Sequence, residues 1–217
     1  MKYVLILMAG LFTLGAATPP AAAPVAPAGD ASPLAVFDKS WNDEVYKSCN
    51  TAAGAAFMSD KEKELIYILN LARRYPTQFA NTVVKQYPAW SHNNKMTQSN
   101  YYQSLLRTMR KLPQSTLLYA DRQCYTSAQC HAALAGAKGY VGHDRLSTAC
   151  KEKKYYMGEC CDYGHGEPID IVMALLVDEG VANLGHRLIC FTTYNKMGVS
   201  IAPHREYGNN AVLDFYY

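Results

Sequence analysis

Several motifs that would settle a function are missing from this 217-residue chain. It has no C-x-x-C, which argues against a zinc ribbon and against a thioredoxin-type dithiol. It has no G-x-S-x-G elbow and no H-E-x-x-H helix, and no Ser, Cys or Thr stands in a recognised nucleophile setting. There is no long Lys/Arg run: 21 basic residues face 18 acidic ones, for a formal charge of +3, so a stripe that tracks nucleic-acid phosphates is not indicated. The densest basic stretch, "KEKKYY" at 151–156, is short, carries an acid and reads as a solvated loop. No apolar run reaches the roughly 20 residues that a membrane-spanning helix needs. No internal repeat is apparent.

What is present points to export. Lys2 is followed by a mostly apolar run from Tyr3 to Leu14 and then by Gly15-Ala16-Ala17, the charge, apolar and small-residue order of a signal peptide. Residues 1–17 are therefore expected to be cleaved, leaving a secreted or periplasmic protein. Residues 18–58 read as a Pro/Ala-rich linker and N-terminal extension, with five of the ten prolines between 18 and 36. The main domain is expected over 59–217, long enough for one sizeable core. Seven cysteines suit an oxidising compartment, and their odd number leaves at least one without an intramolecular partner.

Hydrophobic periodicity outlines the elements. "SDKEKELIYILNLARR", 59–74, is the clearest helix, with a Ser59/Glu62 capping box and an apolar stripe of Leu65, Ile68, Leu69 and Ala72. Further helices are expected from Pro76, in "NYYQSLLRTMRKL", in "DRQCYTSAQCHAALAGAKG" ending at Gly139, and in "PIDIVMALLVDEG" ending at Gly180. The tail changes period: "MGVSIAPH" and "AVLDFYY" read as strands joined by "REYGNN". Helices early and strands late suggest α+β.

The six histidines carry most of the chemical interest. His92 reads as solvated, His131 as a hydrogen-bonded core histidine, and His204 as a surface residue. His143 and His186 differ, because each follows a glycine at a break after a helical stretch, in "VGHDR" and "LGHRLIC". In chain order come "GYVGH", then Gly158-Glu159, then a helix ending "VDEG", then "GHR". Two imidazoles with two carboxylates suit a borderline divalent cation or a proton-transfer site.

That order resembles the CAP superfamily, also called SCP-like, which includes cysteine-rich secretory, antigen 5 and pathogenesis-related proteins. The bacterial branch is the nearest in pattern. "LIYILNLARRYPTQFA", with Asn70 and Arg73, looks like its first helix, and "LLYADRQCYTSAQCHAALAGAKGYVGHD" like the helix that runs into the first site histidine. "GECCDYG" occupies the place of its GEN-aromatic segment, "GHRLICFTTYNKMGVSIAP" resembles its second-histidine segment, and "YGNNAVLDFYY" its closing strand. The resemblance spans 59–217 and implies an α+β fold, a three-layer α-β-α sandwich with a short antiparallel sheet and a central cleft. It implies a cleft tetrad of His143, His186, Glu159 and a second acid, for which Glu179 is chosen and Asp178 is the rival. It also implies that His143 and His186 hold a divalent cation, most readily Zn2+. The family asparagine is replaced by Cys160. Cys160 and Cys161 are expected to anchor their strand by a disulfide, to Cys150 or Cys190. His165 and Glu167 read as loop and helix-start residues.

Three functions follow from the resemblance. One is a secreted binding module whose cleft takes a lipid, a glycan or a protein. A second is a metal-dependent extracellular hydrolase of peptidase or esterase type, with Glu159 or Glu179 as general base. Against it, a catalytic zinc usually has three protein ligands, and two imidazoles alone would hold it weakly. The third is a cell-envelope protein that keeps the fold for interaction only. The absence of a positioned nucleophile favours binding over covalent catalysis.

Overall fold

The computed structural model describes residues 31–217. The expected signal peptide at 1–17, and the linker as far as residue 30, lie outside the described residues. The helices are α1 (Glu44–Lys47), α2 (Asp60–Arg74), α3 (Pro76–Phe79), α4 (Lys85–Trp90), α5 (Asn100–Met109), α6 (Arg122–Lys138), α7 (Thr148–Glu152), α8 (Pro168–Val177) and α9 (Gly185–Phe191). The strands are β1 (Tyr119–Ala120), β2 (Gly158–Tyr163), β3 (Lys196–His204) and β4 (Gly208–Tyr216).

The protein is mixed α/β around one four-stranded sheet of order β1-β3-β4-β2. The sheet is mixed rather than wholly antiparallel, because β1 runs parallel to β3. β1 is two residues long, too short for any alternation to show in the sequence. Side chains alternate between the faces of a strand. Cys160, Met197, Val199, Leu213 and Phe215 enter the main core with α2 and α8, while Cys161 and Val212 pack against Ala128 and Ala132 of α6. Helices therefore cover both faces of the sheet.

Local signals account for most boundaries. Ser59 caps α2 as expected: its Oγ accepts from Glu62 N–H, and Glu62 Oε2 accepts from Ser59 N–H at 2.8 Å. The other Glu62 oxygen accepts from Ile201 N–H at 3.0 Å, so the cap also pins α2 to β3. α6 stops at Gly139, whose φ of 67° is easy for glycine. α8 stops earlier than expected, at Asp178 with φ 58°, and not at Gly180. Ahead of Ser59, Leu34, Phe37 and Trp41 join the same core, and the Trp41 indole N–H donates to Thr82 Oγ1 at 3.0 Å. Residues from 34 onward thus pack on the domain.

One disulfide forms, between Cys130 of α6 and Cys150 of α7. Cys49, Cys124, Cys160, Cys161 and Cys190 are buried thiols. This corrects the expectation for Cys160 and Cys161. Cys150 is taken by Cys130, and Cys160, which lies beside Cys190, stays a thiol as Cys190 does. His204 is also corrected: it is 3% exposed, and its Nε2 lies 3.1 Å from the Tyr140 carbonyl.

Candidate functional site

The site is built around β2, an edge strand of the sheet. Gly139 and Gly142 both take positive φ and turn the chain after α6 so that His143 faces Glu159. His143 Nδ1 lies 2.8 Å from Glu159 Oε1. On the other side, His186 Nδ1 lies 2.8 Å from Asp178 Oδ1, and Asp178 Oδ2 accepts from the backbone N–H groups of His186 and Arg187. Arg187 is buried and donates to the Leu176 and Val177 carbonyls, which holds the end of α8 against α9.

Of the two acids considered on this helix, Asp178 meets His186. Glu179, the residue chosen from sequence, is exposed and instead pairs with Ser99, the N-cap of α5. The reason is the left-handed turn at Asp178. It buries that side chain beneath α9 and sends the next one outward, a conformation that aspartate tolerates better than most residues.

Each pair has the same chemistry. An ionised carboxylate only accepts hydrogen bonds, so Nδ1 carries the proton and the neutral ring keeps its lone pair on Nε2. Among the described residues neither Nε2 has a hydrogen-bond partner. The His143 and His186 side chains are 55% and 24% exposed, whereas those of Glu159 and Asp178 are 2% and 1% exposed. Buried acids thus aim two partly exposed imidazoles, the arrangement that usually orients a metal-ligating histidine.

Glu159 is also held from behind. Its second oxygen pairs with the Arg145 guanidinium, whose Nη2 lies 3.4 Å from Asp214 Oδ2. Glu159 and Asp214 are register partners across β2 and β4. Burial alone would raise the Glu159 carboxyl, but hydrogen bonds from His143, Arg145 and Asp214 outweigh it and hold it down to about 2. Burial and the neighbouring Glu159 charge push Asp214 well above the usual carboxylate range. Of the two neighbouring carboxyls, Asp214 is therefore the one biased toward its neutral form. The hydrogen bond to Glu159 raises His143 despite partial burial. Neither Arg145 nor Asp214 was singled out from sequence. Arg145 stands two residues past His143, but nothing local shows that a distant strand brings Asp214 beneath it.

A groove of about 690 Å³ opens beside the β2 edge. Met96, Leu175, Val177 and Val181 line it together with the polar and charged Lys95, Asp162, Asp178, Glu179 and His186. Cys161 reaches it from β2, and its Sγ is 3.7 Å from His143 Nδ1. His143 is not itself in the groove wall. His165 does line the groove, with Nδ1 3.0 Å from Asp162, whereas Glu167 pairs with Lys61 at the surface.

His131, Glu159 and Cys161 form a further group. All three are buried, and each offers one ligand atom, all within 4.8 Å of one another, so the group could hold a metal ion. Among the described residues no helix is long and apolar enough to cross a membrane.

The fold and site define a mixed α/β protein with paired histidine–carboxylate units flanking an edge strand. The chain matches no protein-family model, no curated protein and no solved structure.

Proposed function

We propose that the protein is an exported binding module of the CAP superfamily type. Its groove takes an amphipathic ligand, a lipid in preference to a glycan or a protein, beside a divalent cation held by His143 and His186. The observation that carries this reading is the pair of matched units, His143–Glu159 and His186–Asp178, with each carboxylate on Nδ1 and each Nε2 free. Helices on both faces of the sheet are compatible with the α-β-α sandwich of that superfamily. The groove's mixed lining, aliphatic side chains beside charged ones, suits a ligand with both apolar and polar parts.

Binding is favoured over hydrolysis by the same geometry. Glu159, held down to about 2, is a weak base, and both Asp178 oxygens already hold His186 and Arg187, which disfavours either acid as a general base. A bound cation would supply charge for a polar head group, and the chain's own part is to aim the two Nε2 atoms.

The test is a zinc titration of the purified protein, with His143→Ala and His186→Ala alongside, and mass spectrometry of lipid extracted after mild purification. The reading expects zinc binding that either substitution weakens, and a co-purifying lipid. Equal and negligible zinc binding by all three proteins would end it.

A further inference from the structure

We infer that His131, Glu159 and Cys161 form a second, buried metal site behind the groove, suited to a zinc-type cation. It shares Glu159 with the His143 pair and Cys161 with the groove wall, but neither His143 nor His186 is among its ligands.

The placement follows from the fold. Glu159 and Cys161 are two residues apart on β2, so both side chains leave the same face of the sheet. That face is covered by α6, which brings in His131. His131, Glu159 and Cys161 are 1%, 5% and 7% exposed, and their ligand atoms lie within 4.8 Å of one another. Ligand atoms around a tetrahedral zinc stand about 3.5 Å apart, given bonds of about 2.0–2.3 Å. Side-chain rotation of about 1 Å closes that gap. His131 Nε2–H donates to the Gly142 carbonyl oxygen at 2.9 Å, and that oxygen is 4.0 Å from Cys161 Sγ, so ligation through Nε2 gives up this bond and moves the ring proton to Nδ1.

The donor set is one imidazole, one carboxylate and one thiol, a mixture that suits zinc better than calcium or magnesium. Burial, helped by the Arg145 charge, lowers the His131 pKa and keeps the ring in its neutral, ligating form. Glu159 is held ionised, and of the roughly four lone pairs of its carboxylate the bonds with His143, Arg145 and Asp214 take three, which leaves one for a metal. Burial and the nearby Glu159 and Asp214 carboxyls push the Cys161 thiol well above its ordinary range, so it enters the site protonated and the metal must displace that proton. On loading, its S–H bond breaks, the proton leaves to solvent and the sulfur lone pair bonds the metal, with no change of oxidation state. Three protein ligands leave a fourth position for water or for the Gly142 oxygen.

The experiment is a cobalt(II) titration of the full exported chain, read by absorption. Cobalt bound to a thiolate gives a charge-transfer band in the near ultraviolet, which nitrogen and oxygen ligands alone do not produce. We expect the band in the wild type and in His186→Ala, its loss in Cys161→Ser, and cobalt affinity weakened about tenfold or more in His131→Gln. His131→Gln keeps a donor for the Gly142 carbonyl, and circular dichroism reports whether each variant folds. A wild-type protein without the band at stoichiometric cobalt overturns the site. So does a band unchanged in folded Cys161→Ser. His186→Ala losing groove zinc while the band persists leaves this site standing; the reverse outcome removes it and spares the groove.

Discussion

His186 Nδ1 stands 2.8 Å from Asp178 Oδ1, and the same carboxylate caps the two backbone N–H groups that open α9. One acid thus sets the ring's tautomer, the ring's direction and the start of its helix. Removing its charge should disturb all three, and the surface acid beside it should not matter.

Asp178→Asn is therefore expected to weaken zinc binding by about 10- to 100-fold, the usual cost of losing a carboxylate behind a ligating histidine. Glu179→Gln, at an acid that lines the groove but hydrogen-bonds Ser99 rather than either histidine, should leave the affinity within about twofold of wild type. Calorimetric titration of both variants checks the pair, and equal effects would show that Asp178 does not aim the ring.

The pH dependence of stability should carry the mark of the other pair. Glu159 is held at about 2 against an ordinary 4.5, so its contribution is full above 4.5 and is lost as pH falls toward 2. His143 is raised above 6.5, so its contribution is full below 6.5 and is lost as pH rises through its folded value. In chelator, the pair should be worth most between about 4.5 and 6.5. Denaturant unfolding at pH 3, 5.5 and 8.5 should show this dome in the wild type. Glu159→Gln should flatten it at both ends, and NMR should show the His143 titration moving down.

Arg145 and Asp214 make opposite predictions although they touch the same carboxylate. Arg145→Met leaves Glu159 buried without its counter-charge and should cost about 3–5 kcal/mol. Burial and the Glu159 charge bias Asp214 toward its neutral form, which Asn mimics in shape and charge. Asp214→Asn should therefore lie within about 1 kcal/mol of wild type at pH 7. Urea unfolding of the two variants measures both.

The parts of this arrangement that sequence revealed are local ones. Ser59 and Glu62 are three residues apart and cap one helix, and the strands near the C-terminus alternate visibly. Asn70 and Arg73 entered through the family resemblance, and in the fold they hold loops: Asn70 bonds Cys49, Thr51 and Leu118, while Arg73 donates to the carbonyls of Thr116, Cys190, Thr192 and Tyr194. What stayed hidden depended on distant packing. The choice between Asp178 and Glu179 turns on one left-handed residue, which propensity would place on glycine. His131 looked like an ordinary core histidine, and it is buried and hydrogen-bonded as such. Only the docking of α6 on the sheet puts it beside Glu159 and Cys161.

That docking rests on two glycines, which leads to the last prediction. A Cβ on Gly198 of β3 would lie 2.0 Å from Tyr125 N and 2.2 Å from Cys124 C, both backbone atoms of α6. A Cβ on Gly136 of α6 would lie 2.0 Å from the Pro203 carbonyl oxygen of β3. Backbone cannot rotate aside as a side chain can, so even alanine must push helix and sheet apart. Overpacking of a core commonly costs about 1–3 kcal/mol, and Gly198→Ala should reach the top of that range or exceed it. Gly54→Ala, where a Cβ meets nothing within 4 Å, is the control and should stay within about 0.5 kcal/mol. If folded Gly198→Ala can be recovered, α6 will have moved relative to β2. Its cobalt affinity should then fall with its stability, although the glycine touches no ligand. A variant as stable as wild type, with unchanged cobalt binding, would mean that the close helix–sheet contact is not what sets His131 in place.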